Sequence, residues 1–165
     1  MMNKKRKITK MIKIVALVLG ILMVSLCVVT FVRFSIDINN AKQRLASHNT
    51  HTIQTSFGDV TFIDQGEGYP IIFSHGTFGG YDQGLASLSA LLPDSEGFRL
   101  IVPSRFGYPG SDLPEEATPE NQAQVYLEIL DALGIDQAIV VTNSAGGAAG
   151  LKLALNYPDR VSGIA

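Results

Sequence analysis

The residue types and spacing best suited to chemistry lie in residues 138–157, AIVVTNSAGGAAGLKLALNY. Ala138-Ile139-Val140-Val141 is a short, uncharged, β-branched-rich run, which suits a strand buried on both faces. Thr142-Asn143-Ser144-Ala145-Gly146-Gly147 follows, dense in small residues, and residues 148–157 read as a helix stopped by Pro158. A serine at the tip of a tight turn between strand and helix is a nucleophile elbow. The bend lifts the hydroxyl above the sheet edge, and the helix start behind it offers backbone N–H groups that favour an oxyanion. The chemistry this would serve is acyl transfer through an activated serine. The elbow pattern G-x-S-x-G is met at Ser144 and Gly146 and departs at Thr142, whose Cβ the turn must accommodate. Ser144 as a plain cap on a helix that follows a strand is the alternative reading of these five residues alone.

The elements that must position Ser144 are legible in the pattern upstream. Residues 52–57 and 60–64 alternate around Gly58-Asp59 and predict a β-hairpin, followed by a turn at Gln65-Gly66-Glu67-Gly68. Ile71-Ile72-Phe73 predicts a buried strand ending in Ser74-His75-Gly76. A glycine-rich loop over 77–84 then leads into a helix over 81–92, with Leu85, Leu88 and Leu92 on one stripe and Asp82 as a cap. Residues 99–102 are the next strand, stopped by Pro103, and 104–112 is a loop in which Arg105 and Asp112 are candidates to order the site. Thr118-Pro119-Glu120 has the residues of a helix start: a capping threonine, proline at the first position, an acid in the first turn. Ala123, Tyr126, Leu127, Leu130 and Leu133 mark its buried face, and Gly134 closes it. Residues 161–165 begin another strand. Alternation of this kind implies a parallel sheet with helices on its faces.

Three stretches agree with one another. Ser74-His75-Gly76-Thr77-Phe78-Gly79-Gly80, Ser104-Arg105-Phe106-Gly107-Tyr108-Pro109-Gly110-Ser111-Asp112 and Thr142-Asn143-Ser144-Ala145-Gly146-Gly147 each follow a strand. With Tyr157-Pro158-Asp159-Arg160-Val161, they resemble the N-terminal half of an α/β-hydrolase, similar to the proline-iminopeptidase and esterase-like branch, over residues 52–165. The resemblance implies an incomplete α/β-hydrolase sheet, an N-terminal β-hairpin and then parallel βα units. It implies Ser144 as nucleophile and the backbone N–H groups of Ala145 and Thr77 as oxyanion donors, with Phe78 the second choice for the latter. His75 and Gly76 become support for the oxyanion loop, His75 not being the general base. A small-molecule ester or peptide-type substrate and no cofactor follow from the same resemblance.

The charge is unevenly placed. Residues 1–33 hold seven Lys/Arg and no acid, whereas the remaining six Lys/Arg are outnumbered by 15 Asp/Glu. Residues 14–32 carry no charge at all, a run close to the about 20 residues that span a bilayer. The run is longer than a signal-peptide core and ends without a small-residue cleavage site, so an uncleaved signal anchor is preferred to a cleaved leader. The expected organisation is a basic cytoplasmic tail over 1–13, a single transmembrane helix over 14–32, a stalk over 33–51 and a partial hydrolase domain over 52–165. This puts the protein in the cell membrane, N-terminus cytoplasmic and domain extracytoplasmic. The acidic domain has no basic stripe, which argues against nucleic acid as partner. Cys27 is the only cysteine and lies in the span, and bulky Leu26 before it argues against a lipoprotein cysteine. His48 and His51 have no carboxylate or cysteine beside them, so they read as stalk residues and no metal site is expected.

Beyond Ser144 the sequence holds Asp159 but no histidine. In the resembled family the acid and the histidine base follow the serine along the chain. Asp159, beside Pro158 at a helix exit, is not assigned as that acid. The expectation is therefore an N-terminal fragment of a longer hydrolase, inactive by itself. Two other readings stand beside it. One is a non-catalytic binding protein on a shortened hydrolase scaffold. The other is phosphate binding at the glycine-rich turn, for which neither G-x-G-x-x-G nor G-K-[ST] is present.

Overall fold

An uncharged run without proline can satisfy its backbone away from water only within itself, as a helix. The computed structural model describes residues 2–165, with side chains from residue 7 onward. The side chains of Lys4, Lys5 and Arg6 in the basic cluster lie outside the described residues. The chain divides into two units, Met1–Ala46 and Ser47–Ala165. The first is one helix, α1, Met2–Ala46. The stalk residues up to Ala46 thus continue the helix of the apolar run without a break. Leu17, Leu22, Leu26 and Phe31 are each 60% exposed or more, so the uncharged part of the helix is apolar all round. Thr30 and Ser35 turn their hydroxyls back onto the carbonyls of Leu26 and Phe31, which satisfies them inside the apolar stretch. By length and composition α1 is able to cross a bilayer.

The second unit is a six-stranded mixed sheet with helices on both faces. Its strands are β1 Thr50–Thr55, β2 Gly58–Gly66, β3 Tyr69–Ser74, β4 Phe98–Pro103, β5 Ala138–Thr142 and β6 Val161–Ile164, in the spatial order β1-β2-β4-β3-β5-β6. β1, β2 and β4 pair antiparallel; β4, β3, β5 and β6 run parallel. The hairpin turn is one place where the sequence pattern misleads. Thr55 pairs with Gly58, so the turn is Ser56-Phe57 and Gly58-Asp59 belong to β2. Thr55 Oγ1 sets it, accepting from Phe57 N–H and donating to Gly58 C=O, while the positive φ of 106° falls on Gly58. His51 consequently lies in β1 with its ring on Phe62, whereas His48 packs edge-on to Tyr81, so the two histidines engage different partners.

α2, Tyr81–Leu91, covers one face of the sheet; α3, Pro119–Ala132, and α4, Gly147–Asn156, cover the other. α2 comes close because Gly84 has no side chain. A Cβ there would lie 2.7 Å from Val102 Cγ1. Its N-cap is Gly80, not Asp82, which is buried in the first turn; of the predicted stripe only Leu88 is fully buried. α3 starts as its sequence predicts, Thr118 Oγ1 accepting from Asn121 N–H with Pro119 next. Its buried surface is wider than predicted, taking in Val125 and Ile129, because α3 packs on both the sheet and α4.

β5 is not buried on both faces as expected. Ala138 and Val140 are fully buried under α3 and α4, but Ile139 and Val141 are half exposed. On their side α2 covers β3, β4 and β2, leaving an open apolar groove of about 490 Å³ floored by Ile71, Ile139 and Val141.

A polar bolt crosses the buried layer. Tyr126 of α3 reaches Ser74 at the end of β3 (O···O 2.8 Å), and Ser74 Oγ donates to the carbonyl of Gly146 at 2.8 Å. Burial pushes the Tyr126 phenol up to about 12, with the Ser74 bond acting in the opposite sense. The folded state therefore holds this proton more tightly than the unfolded chain, with its ordinary value near 10. The stability contributed, on the order of 2–3 kcal/mol, is present below pH 10 and lost as pH rises through 10–12. Urea midpoints should fall over that window in the wild type and fall less in Tyr126→Phe. A wild type and variant with parallel profiles would remove the bolt from the account.

Candidate active site

Ser144 begins a short 3₁₀ turn, Ser144–Gly146, between β5 and α4. Its φ of 50° makes it the only non-glycine residue in the left-handed region among the described residues. That backbone is costly for a residue with a Cβ, by about 1–3 kcal/mol, and persists only where the surroundings hold it. Two contacts do so. Gly146 lies so close to the end of β3 that a Cβ would run into the carbonyls of Ser74 and His75. Asn143 N–H, just before the serine, donates to Ser74 C=O at 3.0 Å. Ser144 itself is exposed, and its hydroxyl has no partner among the described residues.

The missing first glycine of the motif is replaced by a reciprocal fit. Thr142 points its methyl at α4, and the residue facing it there is Gly150, where a Cβ would collide with Thr142 Cγ2. The glycine has moved from the strand to the helix. Gly150 is in the sequence, but its link to Thr142 depends on how α4 crosses β5 and is invisible to a local pattern.

The loop after β3 runs past the serine. A Cβ on Gly76 would sit 3.4 Å from Ser144 Cβ, so Gly76 touches the elbow. His75, Gly76, Thr77, Phe78, Asn143 and Ser144 share one cavity of about 230 Å³. Ala145 lines an adjoining cavity of similar size, beside Arg105 and Gln122. The Ser144 and Ala145 N–H groups precede the first internal bond of the turn, which runs from Gly146 N–H to Asn143 C=O. Phe78 is 87% exposed at the mouth.

His75 is buried and fully engaged. Its Nδ1 donates to Gly76 C=O at 2.8 Å, and its Nε2 accepts from Arg105 N–H at 3.0 Å. No nitrogen is left to take a proton from Ser144. Burial disfavours the charged imidazole and Arg105 adds repulsion, so its pKa lies below the ordinary 6.5, although the bond to Gly76 and the charge of Asp82 act the other way. Arg105 also donates from Nη1 to His75 C=O, at 3.0 Å. Tyr108, missed at the level of sequence, donates its hydroxyl to Thr77 C=O at 2.7 Å and sets its ring against His75. With the carbonyls of His75 and Thr77 pulled toward the 104–112 loop, the loop backbone at Ser144 is fixed by two side chains. Asp112, expected over the site, instead ties that loop to β2, its Oδ2 accepting from Asp59 N–H at 2.9 Å. Ser104 anchors the other end, accepting from Tyr81 N–H.

The fold is matched in known proteins. Residues 69–165 match the family described as alpha/beta hydrolase fold. The chain belongs to the α/β-hydrolase family. It is 35% identical over 100 residues to a 2-hydroxymuconate semialdehyde hydrolase of Pseudomonas putida, covering 59% of this chain and 35% of that protein. An α/β-hydrolase fold protein from Nakamurella multipartita superposes with a TM-score of 0.64 at 39% identity, covering 70% of this chain and 39% of the other. The N-acyl homoserine lactonase AidH superposes with a TM-score of 0.59 at 28% identity, over 70% of this chain and 43% of that one. The chain thus spans well under half the length of these hydrolases. The family match begins at β3, so the hairpin β1–β2 lies outside it.

Two expectations follow from this geometry. Gly150→Ala should destabilise the domain by about 1–2 kcal/mol, overpacking outweighing the gain in helix propensity. In a Thr142→Gly background the same change should be neutral or stabilising, so a double-mutant cycle read from urea midpoints should show coupling of about 1 kcal/mol or more. Additive effects would rule out the reciprocal fit. His75 bears on acid stability. Its folded pKa is below the unfolded value, so its contribution is present above pH 6.5 and is lost as pH falls from there. The loss of stability between pH 7.5 and 5.5 should be smaller in His75→Gln than in the wild type.

Proposed function

We propose that these residues form the nucleophile and oxyanion half of a membrane-anchored serine hydrolase, transferring an acyl group from an ester or peptide-type small molecule to water. The observation that carries the reading is the Ser144 backbone, a left-handed serine with a free hydroxyl beside the loop of Gly76 and Thr77. Ser144 is assigned as nucleophile, and the N–H groups of Ala145 and Thr77 as donors to the developing oxyanion. Preorganised donors of this kind contribute about 3 kcal/mol each to the barrier. His75 and Gly76 are positioning residues, holding the Thr77 main chain. α1 is assigned as the anchor, with Lys7, Lys10 and Lys13 on the cytoplasmic side.

A serine hydroxyl needs a base. His48 packs on Tyr81, His51 on Phe62, and His75 uses both ring nitrogens. The assignment therefore requires a base from outside these 165 residues. The same observation favours the second reading, a binding protein on this scaffold without chemistry of its own.

Exogenous imidazole separates the two. The full chain in detergent micelles should react with a fluorophosphonate slowly by itself. Added imidazole should accelerate labelling, with the adduct on the peptide containing Ser144 and absent from Ser144→Ala. Labelling that ignores imidazole, or persists unchanged in Ser144→Ala, would refute the nucleophile assignment and leave the binding reading.

A further inference from the structure

The cavity beside Ala145 has a property that the serine chemistry does not use. Gln122 lies in its wall, 4% exposed, at the start of α3. Its Oε1 accepts from Phe106 N–H at 2.8 Å, which fixes the orientation of the amide. Its Nε2 is then a buried donor with no partner, the only buried side-chain polar atom of this kind among the described residues. Leaving such a group unpaired is unfavourable unless something accepts from it. Arg105 lines the same cavity. One guanidinium nitrogen, Nη1, is engaged by loop carbonyls, which leaves Nε and Nη2 without hydrogen-bond partners. The cavity lies between the N-terminal ends of α3 and α4, both carrying the positive end of a helix dipole. The nearby charges of Glu120 and Lys152 neutralise each other across 2.6 Å, so Arg105 is the uncompensated one.

We propose that this cavity is a binding site for a small carboxylate. The unpartnered polar groups, Gln122 Nε2 and the Arg105 edge, are donors, so the ligand must accept; the unmatched charge is positive, so the ligand is an anion. The volume, about 230 Å³, and the apolar walls at Pro119, Ala148 and Ala149 favour a short aliphatic acid over a bulkier, fully hydrated anion. One carboxylate oxygen would accept from Gln122 Nε2 and the other from the free edge of Arg105, a geometry that guanidinium suits. Ala145 separates this ligand from Ser144. The site does not depend on Ser144 being a nucleophile.

The test is calorimetric titration of the full chain in detergent micelles with sodium propionate, propionamide and inorganic phosphate. Propionate should bind saturably, propionamide and phosphate about tenfold or more weaker. Gln122→Glu keeps the acceptor for Phe106 N–H and replaces the free donor with an anion; it should abolish propionate binding. Ala148→Leu, at an exposed position of α4, fills the cavity without touching the polar groups and should also abolish it. Circular dichroism confirms that each variant is folded. Absence of saturable binding, equal binding of propionamide or phosphate, or propionate binding that survives in folded Ala148→Leu would overturn the proposal. Ser144→Ala should bind propionate as the wild type does, so this result and the fluorophosphonate result stand apart.

Discussion

A serine at φ 50° does not hold itself there, and most of the second unit can be understood as what prevents it from relaxing. The constraint is the contact of the elbow backbone with the end of β3. Gly146 presses against the carbonyls of Ser74 and His75 with no room for a Cβ, and Asn143 N–H is bonded to Ser74 C=O. Any rotation of Ser144 toward the right-handed region would have to move one of these flanking residues. From below, Ser74 Oγ holds the Gly146 carbonyl and is itself held by Tyr126, so the elbow is joined through β3 to the middle of α3. These groups are buried, where an unmade hydrogen bond costs more than a made one contributes. The serine geometry is thus protected by the penalty for breaking the polar bolt as well as by packing.

The same strand end sets the second wall of the site. His75, Gly76 and Thr77 continue directly from Ser74, so whatever fixes β3 fixes the start of the loop that they form. Beyond that the loop would be free, being rich in glycine, but for Arg105 and Tyr108. Both donate to the loop's carbonyls and so fix its backbone from the carbonyl side. His75 completes the clamp by accepting Arg105 N–H, a role available only to the neutral ring. Its lowered pKa and its structural role therefore have one cause, burial between two backbone groups.

Much of this was legible in the sequence. Strand and helix order, the Thr118-Pro119 start of α3, the Gly134 stop and the elbow all rest on local rules of spacing and capping, and these elements form where the rules put them. What escaped has a common physical origin. Ser74 and Tyr126 belong to two elements separated by about fifty residues, and a tyrosine on a buried stripe reads as apolar until its hydroxyl's partner is known. Thr142 read as a flaw because its compensation, Gly150, is on another element. The turn was misplaced at Gly58-Asp59 because the Thr55 hydroxyl, bonded to Phe57 N–H and Gly58 C=O, sets it two residues earlier. Val125 and Ile129 were missed because a single stripe was assumed for a helix that touches both a sheet and another helix.

The position of the site follows from the chain crossings rather than from the serine. β3 lies between β4 and β5. The helix that follows β3 packs on the face of Phe73 and Val102, while the helices after β4 and β5 pack on the face of Ile72, Ile101 and Val140. Alternate residues of one strand point to opposite faces, so these crossovers part at the C-terminal end of β3. A crevice must open where they diverge, and in open α/β sheets that is where ligands bind. The three loops that meet there are those carrying Thr77, Arg105 and Ser144. Each leaves the carboxyl end of a parallel strand, and each is close to the others only because β3 is central. The serine is exposed because of its bend, but it lies beside the loop of Thr77 because the sheet reverses its winding at that point.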